Sequence, residues 1–215
     1  MARSENISRT EDFMDTQRNE EFVEEIKKRL SEYRFYHSLN VADEAKRLAK
    51  KYGADEDKAF TAGLIHDIMK DTDYEAQREL IEKYSHKMTP TELANPKIWH
   101  AMSGEVFLRH ELNVKDEDIL SAVRYHTTAR DNMSLLEKVL YIADYTSAER
   151  NYPDVDVIRE KAERSLEEAM LYGLQFTIKE NVEAGAVVHP DSILAYNEVA
   201  ISEKEKARKD ESNAD

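Results

Sequence analysis

Apolar residues return along the chain at three- and four-residue steps. Phe22, Val23, Ile26 and Leu30 form one stripe, and Val41, Ala45, Leu48 and Ala49 form another. Such spacing puts each set on one face of an α-helix. Over 58–69 (KAFTAGLIHDIM) the chain is apolar on nearly every side, which predicts a buried central helix. Further helices are predicted at about 98–111, 116–127, 134–148, 154–181 and 191–204. Thr72 with Glu75 three residues on has the pattern of a capping box opening another. Gly53 and Gly185 fit helix ends, while Pro90, Pro96, Pro153 and Pro190 fall in connections. Clusters of β-branched residues with period two are absent. The pattern predicts an all-α fold, with a single helical domain over 19–202. Residues 1–18 lack helical spacing and are expected to be a disordered leader, and 203–215 a charged tail of the same kind.

Composition narrows the function classes. Only 5 glycines and 4 prolines occur in 215 residues, in keeping with long helices and short loops. Lys and Arg number 31 against 45 Asp and Glu, a net charge of −14. That balance argues against a nucleic-acid partner, which needs a basic face. The absence of cysteine excludes disulfides, a thiolate nucleophile and Cys-ligated metal sites. No apolar run approaches the ~18 residues of a membrane span, and the first residues carry no apolar signal segment. A cytoplasmic protein without membrane contact is the expectation.

Several polar residues sit where helices should bury an apolar stripe. His66 and Asp67 lie between Leu64–Ile65 and Ile68–Met69. Asp144 follows Leu136 and Leu140 at four-residue steps, His126 continues Ile119, Ala122 and Val123, and His37 leads Val41, Ala45 and Leu48. His100 is followed by Ser103 and Gly104, whose small side chains are expected to leave room beside its ring. A buried carboxylate without a partner costs several kcal/mol. Apart from Lys70, no Lys or Arg lies within a helical turn of Asp67 or Asp144 on the same face. A divalent metal would satisfy both carboxylates, and neutral imidazoles on separate helices are suitable co-ligands for zinc, iron or manganese. His86 and His110 lie among charged residues and read as surface histidines, and Trp99 reads as core.

With these residues the chain resembles the HD-domain metal-dependent phosphohydrolases, and among them the YqeK-type enzymes, which hydrolyse diadenosine tetraphosphate symmetrically to two ADP. The resemblance rests on RFYHSLNVADEAKRLAKKYG, KAFTAGLIHDIMKD, HAMSGEV, VRYHTTARDNMSLLEKVLYIADYTSAERNYPDVDVIR and VVHPDSILAYN, which together span about residues 20–200. It implies an all-α HD-domain helical bundle, a metal held by His37, His66, Asp67 and Asp144, and iron as that metal. The ligand types alone equally allow manganese or zinc. Two departures fall in loops near the expected substrate: Ala129 where a glycine is expected after HTT, and Ser147–Ala148 where Glu-Pro is common.

The remaining candidates follow from position beside those ligands. His100 and His126 take one of two roles: a second metal with Asp67 bridging, or proton donors facing the phosphates. Arg34 lies three residues before His37, Lys70 three after Asp67 and Arg150 six after Asp144, each a candidate for polyphosphate. Lys70, Asp71, Thr72 and Asp73 lie where a helix begins, so their backbone N–H groups are candidate anion donors, and Thr127 adjoins His126. Val187, Val188, His189, Pro190, Asp191 and Ser192 form a turn into the last helix, with Asp191 or Ser192 as its cap. The resemblance implies that this turn lines a nucleoside pocket, and it makes a homodimer a family-level expectation. Competing readings are a hydrolase of another nucleotide, a dNTP or an alarmone, and a non-catalytic helical metal or oxygen carrier. The carrier class uses Glu-x-x-His pairs on apolar stripes, and none is found here.

Overall fold

The computed structural model describes residues 17–84 and 87–214. Helix α1 covers 17–29 and is followed by α2 (Glu32–Tyr52), α3 (Glu56–Ile65), α4 (Tyr74–Lys83) and the single turn α5 (Pro90–Leu93). A 3-10 turn (Pro96–Ile98) leads into α6 (Trp99–His110), α7 (Glu117–Tyr125), α8 (Leu135–Thr146), α9 (Val155–Arg164), α10 (Leu166–Glu183) and α11 (Pro190–Ala214). The described residues contain no strand, as the periodicity predicted.

Helices α2, α3, α7 and α8 form the centre. Helix α2 buries Val41, Ala42, Ala45, Leu48 and Ala49 and stops at Gly53, whose φ of 79° lies in the left-handed region and whose N–H bonds to Ala49 O. Helix α8 starts at a capping box, in which Ser134 Oγ accepts from Glu137 N–H and Glu137 Oε2 accepts from Ser134 N–H. It then buries Leu136, Val139, Leu140, Tyr141, Ile142 and Ala143. Around this centre α6 packs on α4 and α7, and α10 packs on α8, α9 and α11.

Helices α2 and α3 meet backbone to backbone. A Cβ placed on Gly63 would lie 2.7 Å from Ala42 Cα and 2.9 Å from Val41 O. Gly63 precedes His66 by three residues and Ala42 follows His37 by five, so this contact sets how closely the two histidines approach. Gly104 plays a different part: a Cβ there would meet Val123 Cγ1 at 3.5 Å and His66 O at 3.8 Å. The room it leaves therefore serves the approach of α6 to α7, not the His100 ring.

Several boundaries correct the sequence reading. The central helix ends at Ile65 instead of 69, and His66 is its C-cap. The reason is local: His66 Nδ1 bonds to Gly63 O at 2.7 Å, the carbonyl that the Asp67 N–H would need to continue the helix. The single helix expected over 154–181 breaks at Ser165 (φ −158°, ψ 134°), whose side chain caps α10 through Glu168 N–H. Thr72 does not cap α4; Asp73 does, accepting from Ala76 N–H at 2.9 Å. Pro90 and Pro190 open helices, where a missing N–H costs nothing. The first turn of α11 is held by His189 Nδ1, which accepts from Asp191 N–H, so neither Asp191 nor Ser192 supplies that cap. Residues 17 and 18 are helical, and Arg18 donates to Leu112 O; the rest of the expected leader, and His86, lie outside the described residues. The charged tail is helical to Ala214, since its Glu, Lys, Arg and Ala residues favour helix. Among the described residues no helix is long and apolar enough to cross a membrane.

The two glycines give a paired test. Gly63→Ala should destabilise the fold by about 1–3 kcal/mol, the usual cost of overpacking, because the atoms in the way are backbone. Gly104→Ala should be neutral or gain up to about 1 kcal/mol from helix propensity. Chemical denaturation of both variants measures this, and an unchanged midpoint for Gly63→Ala would refute the close-contact account.

Candidate metal centre

Six predicted side chains meet at the middle of the bundle. His37 comes from within α2, His66 and Asp67 from the turn after α3, His100 from α6, His126 from the end of α7 and Asp144 from α8. His37, His66, Asp67, His100 and His126 are at most 3% exposed. Asp144, with 19% of its side chain exposed, opens toward solvent.

The histidines show how local structure aims them. His66 and His126 are both helix C-caps, each folding its ring back so that Nδ1 bonds to the carbonyl three residues earlier, Gly63 O and Val123 O, at 2.7 Å. A carbonyl only accepts, so Nδ1 carries the proton and Nε2 presents a lone pair to the centre. His37 Nδ1 lies 2.5 Å from Glu149 Oε1, which leaves its Nε2 facing inward too.

The inward atoms lie at ligand spacing. His37 Nε2 is 3.1 Å from Asp144 Oδ1 and 3.8 Å from Asp67 Oδ2, and His66 Nε2 is 4.0 Å from Asp144 Oδ1 and 3.7 Å from Asp67 Oδ2. Donors bound to one ion at about 2.0–2.2 Å fall roughly this far apart. His66 Nε2 and Asp67 Oδ1 are buried without a hydrogen-bond partner. An orphaned imidazole lone pair beside an orphaned carboxylate oxygen is the donor set that a divalent cation satisfies. Three overlapping groups share this geometry: His37, His66 and Asp67; His66, His126 and Asp144; and Asp67, His100 and His126.

Electrostatics set the His66 and His37 rings apart. Burial holds His66 down at about 4, hence neutral. Burial also opposes charge on His37, but Asp144 and Glu149 outweigh it and raise the ring to about 9. Burial would raise both aspartates. Asp67 is instead held well below the carboxylate range by His66, His126 and Lys70, and Asp144 by Arg150, His37 and His66.

Cations ring the cluster. Arg34 Nη1 is 3.2 Å from Asp67 Oδ2. Lys70 Nζ is 3.9 Å from Asp67 Oδ1 and 3.0 Å from His100 Nε2. Arg150 binds Asp144 through both backbone and side chain and reaches within 3.4 Å of His37 Nε2. Asp71 accepts from Ser31 N–H and Asp73 caps α4, so both carboxylates are engaged by backbone amides. Thr72 gives its carbonyl to Gln77.

A cleft of about 360 Å³ opens beside Asp144, lined by His126, Thr127, Arg150, His189 and Ser192 among others. Thr127 Oγ1 is buried there without a partner, and Ser192 is pinned to Thr128 O. Val187, Val188, Pro190 and Asp191 are not part of its lining. Tyr145, Tyr152, Phe176, Thr177 and Asn181 are, and of these only Tyr145 adjoins a sequence-predicted ligand, Asp144. Thr177 and Asn181 sit four apart on a polar face of α10, a weak signal with no motif beside it. Larger hollows of about 550, 560 and 600 Å³ border α1 but contain no histidine. Ala129, where glycine was expected, has a φ of 55°, a left-handed conformation costing an L-residue about 1–2 kcal/mol. Trp99 is buried and donates to Glu92 O, and His110 stacks on Tyr84 at the surface, both as expected.

Comparison with known proteins agrees with this geometry. The HD domain model matches residues 34–149. A symmetrical bis(5'-nucleosyl)-tetraphosphatase of Bacillus subtilis is 39% identical over 180 residues, 83% of this chain and 95% of the relative. Its counterpart in Halalkalibacterium halodurans is 36% identical over 181 residues, with the same two shares covered. The crystal structure of an HD superfamily hydrolase from Clostridium acetobutylicum, described as involved in NAD metabolism, superposes with a TM-score of 0.83 at 35% identity, covering 85% of this chain and 97% of that one. An HD domain implies a divalent metal, and a buried cluster able to hold one is present. The chain belongs to the HD-domain family, among the symmetrical bis(5'-nucleosyl)-tetraphosphatases that it matches over nearly their whole length.

Proposed function

We propose that this chain hydrolyses diadenosine tetraphosphate to two ADP at one divalent ion held by His37, His66, Asp67 and Asp144, with iron as the ion. The observation that carries the reading is the orphaned pair His66 Nε2 and Asp67 Oδ1, ringed by three cations beside an open cleft. The names of the relatives supply the substrate. When bound, the ion lowers the pKa of a coordinated water and neutralises charge on phosphoryl oxygens.

The chain's own groups do the rest. Arg34, Lys70 and Arg150 attract the polyphosphate and offset its charge at the reacting phosphorus. Thr127 Oγ1, unpartnered at the cleft wall, donates to a phosphate oxygen. One nucleoside lies in the cleft against His189, Ser192 and the α10 face. Water oxygen bonds to an inner phosphorus, the central bridging P–O bond breaks, and the departing ADP oxygen takes a proton. His126 Nε2, which faces inward as an acceptor, takes a proton from the attacking water and relays it to that oxygen, with His100 Nε2 beside it at 3.2 Å. Lys70 Nζ, 3.0 Å from His100 Nε2, sets a positive charge against the group formed by Asp67, His100 and His126, which favours this role over a second ion there.

Asp67→Ala should strip most bound metal. It should also lower kcat by more than roughly 10²-fold, since loss of an outer partner alone costs 10–100-fold. Elemental analysis of protein purified without added metal, with chromatography of the products, checks both. Wild type must give ADP alone; AMP with ATP would rule out symmetric cleavage.

Lys70→Ala should reduce kcat/KM roughly 10–100-fold, the equivalent of about 1.5–3 kcal/mol for a hydrogen bond to a charged group, while metal content stays at one ion per chain. A rise to two ions would instead revive the bimetallic alternative.

A further inference from the structure

Three of the imidazoles with inward Nε2 atoms, His37, His66 and His126, solve the same problem by different means. His66 and His126 cap helices, where the last carbonyls have no helical donor, so Gly63 O and Val123 O are free to fix their rings. His37 lies inside α2, six residues into Glu32–Tyr52. The carbonyls around it are committed to helical bonds, so its Nδ1–H needs a partner from elsewhere in the chain.

That partner is Glu149, 112 residues away, with Oε1 at 2.5 Å. The turn after α8 delivers it. Ser147 N–H bonds to Ala143 O, Arg150 N–H bonds to Ser147 O, and Ser147 Oγ donates to Glu149 Oε1 at 2.8 Å. The same turn sends Arg150 back onto Asp144. Glu149 Oε2 is buried with no partner of its own, so the carboxylate is not held there by a surface ion pair.

We propose that Glu149 is a positioning residue of the metal centre, fixing the tautomer and ring orientation of His37 and raising the donor strength of its Nε2, with Ser147 holding the carboxylate in place. The reading rests on the metal centre proposed above but not on its substrate. A carboxylate partner makes an imidazole a more basic ligand than a neutral carbonyl does, so His37 would be the strongest of the imidazole donors. Neighbouring charged residues in SAER gave no sign of this role, because only the fold brings the segment to α2.

The test measures Mn²⁺ affinity of the full chain by competition with a chelator, alongside unfolding of the metal-free protein and steady-state kinetics. Glu149→Gln keeps an acceptor but removes its charge. Mn²⁺ should bind 10–100-fold more weakly, and kcat should fall with KM unchanged, in a metal-free protein that still unfolds cooperatively. Ser147→Ala should weaken Mn²⁺ binding in the same direction and by less; it also covers the case in which Glu149→Gln fails to fold. Wild-type affinity retained within twofold in the folded variants would overturn the proposal even where the hydrolase reading stands. Normal Mn²⁺ effects without cleavage of diadenosine tetraphosphate would support it while removing the substrate assignment. A wild type that binds no Mn²⁺ would sink the centre and this inference together.

Discussion

Two aspartates brought into an apolar bundle are the constraint around which the rest is arranged. Asp67 is almost fully enclosed, and Asp144 stands at the edge of the cleft. An uncompensated carboxylate in such a place would cost more than most single contacts return. The fold offsets that cost from three directions: inward imidazoles, the guanidinium and ammonium groups of Arg34, Lys70 and Arg150, and a gap shaped for a divalent ion. Removing any one leaves the others as unbalanced buried charge, so the centre acts as a unit.

Helix ends are the device that aims the ligands. Where a helix stops, its final carbonyls are free, and a histidine placed at that point can fold back and take one. The doublet after α3 and the histidine after α7 use this geometry, which turns a terminus into a rigid mount for an inward lone pair. The close approach of α2 and α3 at Gly63 then places the His37 and His66 rings 5.2 Å apart. Packing in the core and geometry at the centre are one feature, since a methyl group between those helices would move both rings.

The surroundings are asymmetric in a way that suits a long anionic substrate. Arg34 and Lys70 touch Asp67, whereas Arg150, Thr127 and the α10 face meet beside Asp144 at the cleft. A chain of phosphates can thus run across the centre with a nucleoside anchored on one side. The chain's net negative charge makes this local positive field the more telling, because it is concentrated where the other groups converge.

Periodicity in the sequence determined the helical class and most helices, because burial of one face imposes a spacing that can be read directly. Ionisable residues on those faces also gave away the centre, since such residues are too costly to bury without purpose. His37, His66, Asp67, His100, His126 and Asp144 were all legible for that reason. Boundaries set by side-chain competition were not: the stop at His66 and the break at Ser165 turn on single hydrogen bonds that a hydrophobic pattern does not record. Nor did the sequence disclose Glu149 or the α10 wall of the cleft. Their partners lie far away along the chain, and only the packing of α8, α10 and the turn between α8 and α9 decides what a polar residue on an exposed-looking segment will face.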